Sequence, residues 1–198
     1  MTLPARDRLL HNVLGYAREH GLGDVSLRTL AAATGTSHRM LIYHFGSREG
    51  LLAAVVAAVE ADQRAVMVDL VRAADADPAT AMRRFWTGLA DPAQHEAERL
   101  FFETVARSLR GQPGTEGLRA SLVEPWLDVV DDAARVLGLP PDDARLDARV
   151  GMALVRGLLL DLLATGDRDG VDAAIDHFIA RWWPVSAPPR PGTRPSVT

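Results

Sequence analysis

Gly35 and Gly46 bracket the segment Thr-Ser-His-Arg-Met-Leu-Ile-Tyr-His-Phe, and that bracket limits the fold more than any other feature. Glycine takes positive φ at little steric cost, so it marks places where a helix stops. The enclosed residues are too few for a helix that is stable alone in water. They must pack on neighbours, and the sequence supplies them on both sides. Leu10, Val13, Leu14 and Ala17 recur at helical spacing over about residues 4–20, with Pro4 suited to the first turn. Gly21 and Gly23 end that helix. Ser26 can cap a second one, whose buried face is Leu27, Leu30, Ala31 and Thr34. Ser37 caps a third over about 37–45, and Ser47 caps a long fourth reaching about Ala74. Glu49 suits the positive end of that helix. Gly50 stands where a capping box would place Glu, so the box is incomplete.

The rest of the chain continues the helical pattern. Period-2 alternation is absent, and so are Asn-Gly hairpin turns. Further helices are predicted at about 78–90, 92–110, 117–138, 142–165 and 169–183, about nine in all. The breaks fall at Asp75–Pro78, Gly111–Gly114, Gly138–Pro141 and Gly166. Residues 184–198 are Pro-rich without apolar periodicity and read as a disordered tail. The expected fold is therefore all-α. Residues 1–46 form a small head, 47–74 a connecting helix, and 75–183 a helical body.

Charge separates the head from the body. Residues 1–50 carry six Arg and four acids, a balance of +2, although the whole 198-residue chain is at −4. A cationic head on an acidic body suits a nucleic-acid reader whose body must avoid phosphates. There is no Cys, which removes disulfides, thiolate metal sites and Cys nucleophiles, and fits a reducing cytosol. The longest apolar run, Met152 to Ala164, is interrupted by Arg156 and Asp161, so no membrane span is expected. A signal peptide is not apparent, and a cytoplasmic location is expected.

Two short helices joined by a glycine turn make a helix-turn-helix. Leu41 and Phe45, four apart, point together into the core. Arg39 and Tyr43 then point away from it, with Met40 and Ile42 flanking them and His44 on the shoulder. Such a face suits a DNA major groove. Arg can fork onto guanine O6 and N7, and hydroxyls can hold phosphates. Ser47 and Arg48 at the start of the fourth helix offer N–H groups and a cation to another phosphate.

Gly35, Leu41, His44, Phe45, Ser47, Arg48, Glu49 and Leu51 together resemble the DNA-binding head of TetR/AcrR-family transcriptional regulators. The likeness covers about residues 10–55, and helix count and length extend it plausibly to 4–183. It implies an N-terminal three-helix helix-turn-helix domain and a C-terminal helical domain for ligand binding and dimerisation. It implies a homodimer on a palindromic double-stranded operator, released by a small-molecule effector. The DNA-binding residues expected on this basis are Ser26, Arg28, Ser37, His38, Arg39, Met40, Tyr43, His44, Ser47 and Arg48. Two departures stand out. The family's frequent phosphate-contacting Tyr falls at Ile42, with Tyr43 one place later. The usual Lys is Arg48, which keeps the charge and adds a bidentate fork.

The resemblance also assigns the C-terminal half, which has no motif of its own. Met82, Trp86, Phe101, Phe102, Trp126 and Met152 are candidates to line an effector pocket, with ordinary core as the alternative. The predicted 142–165 helix is apolar on more than one face and so needs more than one partner. By family analogy, Val155, Leu159, Leu163, Ile175, Phe178, Ile179 and Trp182 are candidates for a dimer interface; intrachain core is again the alternative. No phosphate-binding glycine loop, nucleophile elbow or His-Glu-x-x-His motif appears, so no enzyme, cofactor or metal is expected. The competing reading is an effector-binding or interaction module whose head has lost or altered DNA reading.

Overall fold

The computed structural model describes residues 3–23, 25–73, 77–136 and 141–182, with side chains further omitted at 133–136, 141–144 and 182. The predicted tail, the Gly138–Pro140 break, most of the linker at 74–76 and the side chain of Trp182 lie outside the described residues.

The described residues are helical and contain no strand. The head is α1 (Ala5–His20), α2 (Leu27–Ala33) and α3 (His38–Phe45). The Ser26 hydroxyl accepts from Thr29 N–H at 3.1 Å, and the Ser37 hydroxyl from Met40 N–H at 3.2 Å. Gly35 and Gly46 have φ of 69° and 77°, the left-handed region the two stops require. Val13, Leu30, Ala31, Leu41 and Phe45 close on one another in a buried core.

α4 (Arg48–Ala73) follows. Leu51, Leu52 and Val55 on its first turns pack into the head core. On the same turns, Ala53 and Val56 pack with Phe101 and Leu118 in a seam between head and body. Met67 and Leu70 then reach the body core. Ser47 caps α4 as expected, accepting from Gly50 N–H at 3.0 Å.

The body comprises α5 (Pro78–Leu89), α6 (His95–Leu109), α7 (Leu118–Ser121), α8 (Glu124–Val136), α9 (Pro141–Thr165) and α10 (Arg168–Trp182). Two predicted helices are subdivided. Residues 92–94 form a separate 3-10 turn ahead of α6. The predicted 117–138 helix breaks between α7 and α8, and Pro125 explains it. A proline lacks the N–H and its ring clashes with the carbonyl four residues back, so a helix through Ser121 must restart. Trp126 and Leu127 N–H then close on the Val123 carbonyl at 3.0 and 3.2 Å.

Four of the seven residues expected at a dimer interface are taken up by this chain's own core. Val155, Leu159, Ile175 and Ile179 are buried within one chain, where α9 and α10 pack on Phe85, Trp86, Leu89 and Trp126. Leu163 and Phe178 lie against the same core, partly buried. α9 is apolar on more than one side, and this chain's own helices take the inner side. Outward it presents Val150, 47% exposed, and Leu160, 51% exposed, with Ala153, Gly157 and Ala164 exposed at the same helical spacing.

Gly50 also finds its reason. A Cβ there would lie 2.1 Å from the Phe45 carbonyl oxygen, and the α6–α7 loop at Gly114 comes within 3.6 Å of the same point. Gly15, exposed in α1, has open space around its missing Cβ. Gly15→Ala is therefore expected to stabilise by about 0.5–1 kcal/mol through helix propensity. Gly50→Ala, which must displace backbone, is expected to destabilise by about 1–3 kcal/mol. Paired urea titrations read both, and a neutral Gly50→Ala would refute the close approach.

Candidate nucleic-acid interface and the cleft behind it

α3 offers its outer face to solvent because its inner face is consumed. Leu41 and Phe45 are buried at 1% and 8% exposure, whereas Tyr43 is 78% exposed. His38, Arg39, Met40 and Ile42 are exposed beside it, as are Ser26, Arg28 and Ser37 at the two helix starts. Seven of the ten expected DNA-binding residues are thus exposed on the head, two arginines among them, together with Ile42.

His44 and Arg48 are placed differently from the other candidates. The His44 ring sits edge-on between Tyr43 and Phe45, and its Nε2 is buried without a hydrogen-bond partner. Its surroundings are those of a packing residue. Arg48 turns toward the α1–α2 loop, where its guanidinium donates to the Gly23 carbonyl and, at 3.4 Å, to the Val25 carbonyl. Its expected free cation is used to hold that loop against α4. Ser47 is half-buried and occupied as a cap.

The head's scaffold meets the body at a second place. The α6–α7 loop brings Gly114, φ 91°, against the start of α4; a Cβ on Gly114 would sit 2.8 Å from Ser47 Oγ and 3.0 Å from Gly50 N. The body's loop therefore rests on the turn that immediately follows the exposed helix. Nearby, α6 is held to that loop by Ser108 Oγ donating to the Thr115 carbonyl at 3.2 Å.

A family profile described as bacterial regulatory proteins, tetR family, matches residues 16–55, the span from the end of α1 into α4. Through this head the chain is similar to TetR-family transcriptional regulators. Relatives extend the likeness beyond the head. The HTH-type transcriptional regulator BetI of Pseudomonas aeruginosa is 29% identical over 175 residues, covering 86% of this chain and 87% of the relative. A TetR-family regulator from Pectobacterium atrosepticum shares the fold at TM-score 0.68 with 19% identity, covering 90% of this chain and 91% of that one. The multidrug binding protein EbrR, solved with imidazole, does so at TM-score 0.61 with 22% identity, covering 94% and 96%.

A cleft of about 810 Å³ lies behind the head, between the end of α1, the middle of α4, α5 and the start of α6. Of the six expected effector-lining residues only Phe101 borders this cleft. Trp86, Trp126, Met82, Phe102 and Met152 belong to the body core or pack on it. The tryptophans act as bolts: Trp86 Nε1 donates to Asp172 at 2.6 Å, and Trp126 Nε1 to Glu60 at 2.7 Å.

Sequence reasoning missed the polar groups at the cleft floor. Glu60 is 4% exposed and accepts from Trp126 and from Arg156 Nη2 at 2.9 Å. Glu98 is 3% exposed and accepts from Gln63 Nε2 at 2.7 Å. Their signals were faint: Glu60 ending the apolar run Leu51–Val59 of α4, and Arg156 breaking the apolar run of α9. Burial raises the Glu98 carboxyl to about 7; the Gln63 hydrogen bond opposes the rise, the Glu60 charge adds to it and Arg156 reduces it.

Two predictions follow from these placements. A carboxyl raised from 4.5 to about 7 on folding contributes stability that is full below the unfolded value. That contribution erodes as pH rises and is gone above about 7. The loss is on the order of 3 kcal/mol, and Glu98→Gln is expected to flatten this part of the stability–pH curve. Arg48→Ala is expected to lower the melting temperature while leaving the salt dependence of DNA binding unchanged. A salt slope reduced by about one would instead identify a phosphate contact.

Proposed function

We propose that the protein is a homodimeric repressor that binds a palindromic operator through α3 and releases it when a small molecule binds the body. The observation that carries this reading is the division of α3, with Leu41 and Phe45 locked inward and Arg39 and Tyr43 held outward. Arg39 takes a guanine edge by its bidentate fork. Met40 and Ile42 supply apolar contact for thymine methyl groups. Tyr43, Arg28 and His38 with the Ser26 and Ser37 hydroxyls hold phosphates. Because Tyr43 is 78% exposed beside Ile42 at 37%, it can take over the contact that Ile42 cannot make. His44, Ser47 and Arg48 support that surface from within.

Two copies must set their α3 helices about 34–36 Å apart, or a multiple of that, to enter successive major grooves on one side of the duplex. The dimer face is the outer stripe of α9, with Val150, Ala153, Gly157, Leu160 and Ala164 packing on the mate. Small residues at Ala153, Gly157 and Ala164 permit close approach, and Val150 and Leu160 supply buried area. The protein works in the cytoplasm as a binding protein without catalysis. Effector release fits a family neighbour described as a multidrug binding protein. Effector and operator oppose each other through a coupling of about 1–3 kcal/mol, or 5–150-fold in affinity.

Arg39→Ala is expected to cost about 1–3 kcal/mol in operator affinity and to relax preference at one base position per half-site. Unchanged specificity would refute the assigned facing of α3. Leu160→Asp is expected to convert the dimer to monomer in sedimentation velocity, whereas a dimer that survives it must use another face.

A further inference from the structure

The cleft behind the head carries an assignment that the body's aromatic residues do not. Its upper walls are apolar, built from Val55, Val59, Phe85, Leu89 and Phe101. Its polar groups are lopsided in charge. Five carboxylates border it (Glu19, Glu60, Asp62, Glu96 and Glu98) against two guanidiniums, Arg18 and Arg84. The partners of these groups decide which charge is left over. Arg18 pairs with Asp62 at 3.3 Å, Glu96 with Arg99, and Glu60 with Arg156. Among the described residues, Glu60 and Glu98 are the buried carboxylates, and Glu98 is the one without a cation within hydrogen-bonding distance; the polar partner it has is the neutral Gln63 amide. A buried carboxylate is costly unless a cation meets it.

We propose that this cleft binds an organic monocation, an amine carrying an aromatic or alkyl body, with its ammonium against Glu98 and its apolar part on the α4–α5–α6 walls. The inference names the site and ligand class for the effector reading given above, and rests on that reading only for its effect on DNA. It also supplies a route for that effect. α1 forms one wall through Leu14, Ala17 and Leu22, and the Arg18–Asp62 pair spans from α1 to α4 over the cleft. Leu22 belongs to the head core. A guest wedged between α1 and α6 therefore resets the head against the body without passing through the body core.

Glu98 must ionise to receive the ammonium, so the raised carboxyl makes binding release protons near neutrality. The other charged groups facing the cleft are Glu60 with Arg156 beneath, Arg18, Glu19, His20 and Asp62 on the α1 and α4 rims, Arg84 on α5, and Glu96 on α6. Of these His20 is the one imidazole, exposed at the rim.

The test is calorimetric titration of the full-length protein, without DNA, using phenylbutylamine and its neutral analogue phenylbutanol. At pH 8 the amine is expected to bind saturably and at least tenfold tighter than the alcohol. Affinity for the amine should fall roughly tenfold between pH 8 and pH 6, as the carboxyl is protonated below about 7. Near pH 7 the measured heat should depend on the buffer's own ionisation heat. Glu98→Gln should bring the amine down to the level of the alcohol and abolish the pH dependence, with the helical circular dichroism spectrum retained. Val59→Trp, which fills the cleft from one wall, should weaken both ligands. Equal affinities for amine and alcohol, no saturable amine binding, or a Glu98→Gln protein that keeps the preference would overturn the proposal. A pH dependence that persists in Glu98→Gln would overturn it equally. An operator assay run separately keeps the two readings apart: amine binding intact in a protein that binds no DNA sinks the regulator reading and leaves the cleft standing.

Discussion

α4 is the member the rest of the structure depends on, because three separate packing surfaces are drawn from one continuous helix. Its 26 residues span roughly 39 Å. Leu51, Leu52 and Val55 close the head, Ala53 and Val56 form the seam, and Met67 and Leu70 enter the body. A helix cannot bend sharply without a proline, a bulge or an inserted group, and α4 has no proline. Any displacement of its middle is therefore carried to its first turn. That turn is the floor beneath α3, and the Gly114 loop presses on it at Gly50. The body thus holds the reading helix through backbone contact that leaves no room for a side chain.

The body has two kinds of polar burial with opposite consequences. Trp86–Asp172–Arg168 and Trp126–Glu60–Arg156 are satisfied networks, with each donor meeting an acceptor near 2.6–2.9 Å. Such networks fix how helices dock. Arg168 extends the first network to the Ala90 carbonyl, tying the end of α5 to the start of α10. Glu98 is the exception, buried with a single neutral partner beside an open cleft. A fold optimised only for stability has no use for a carboxyl in that position, which is why the cleft rather than the aromatic core points to a ligand.

What the sequence made legible is what local chemistry decides. Ser26, Ser37, Gly35 and Gly46 act within three or four residues of themselves, and the elements they bound were readable from the chain. The facing of α3 was readable for the same reason, since Leu41 and Phe45 share one side of a helix by spacing alone. Pro125 was an equally local signal, overlooked because the surrounding apolar spacing runs on without a gap. The other differences come from three-dimensional placement. Spacing identifies Val155, Leu159, Ile175 and Ile179 as an apolar stripe, but nothing in a stripe states whether its own chain or a mate will cover it. A cation at the start of α4 reads as a phosphate ligand until the carbonyls of Gly23 and Val25 are seen beside it. Gly50 looked like a missing cap residue; the Phe45 carbonyl and the Gly114 loop show that a side chain would not fit.

The central claim is that the outward face of α3 reads DNA as one half of a symmetric pair. Selection of bound sequences from random duplex DNA by the purified full-length protein, at a stated salt concentration near physiological, tests it most directly. The account predicts enrichment of a palindrome whose half-site centres lie about one helical turn apart, or a multiple of it. Enrichment of a single unpaired half-site would contradict the dimeric reading, and the absence of any enriched sequence would contradict the assignment of α3 as a reading helix.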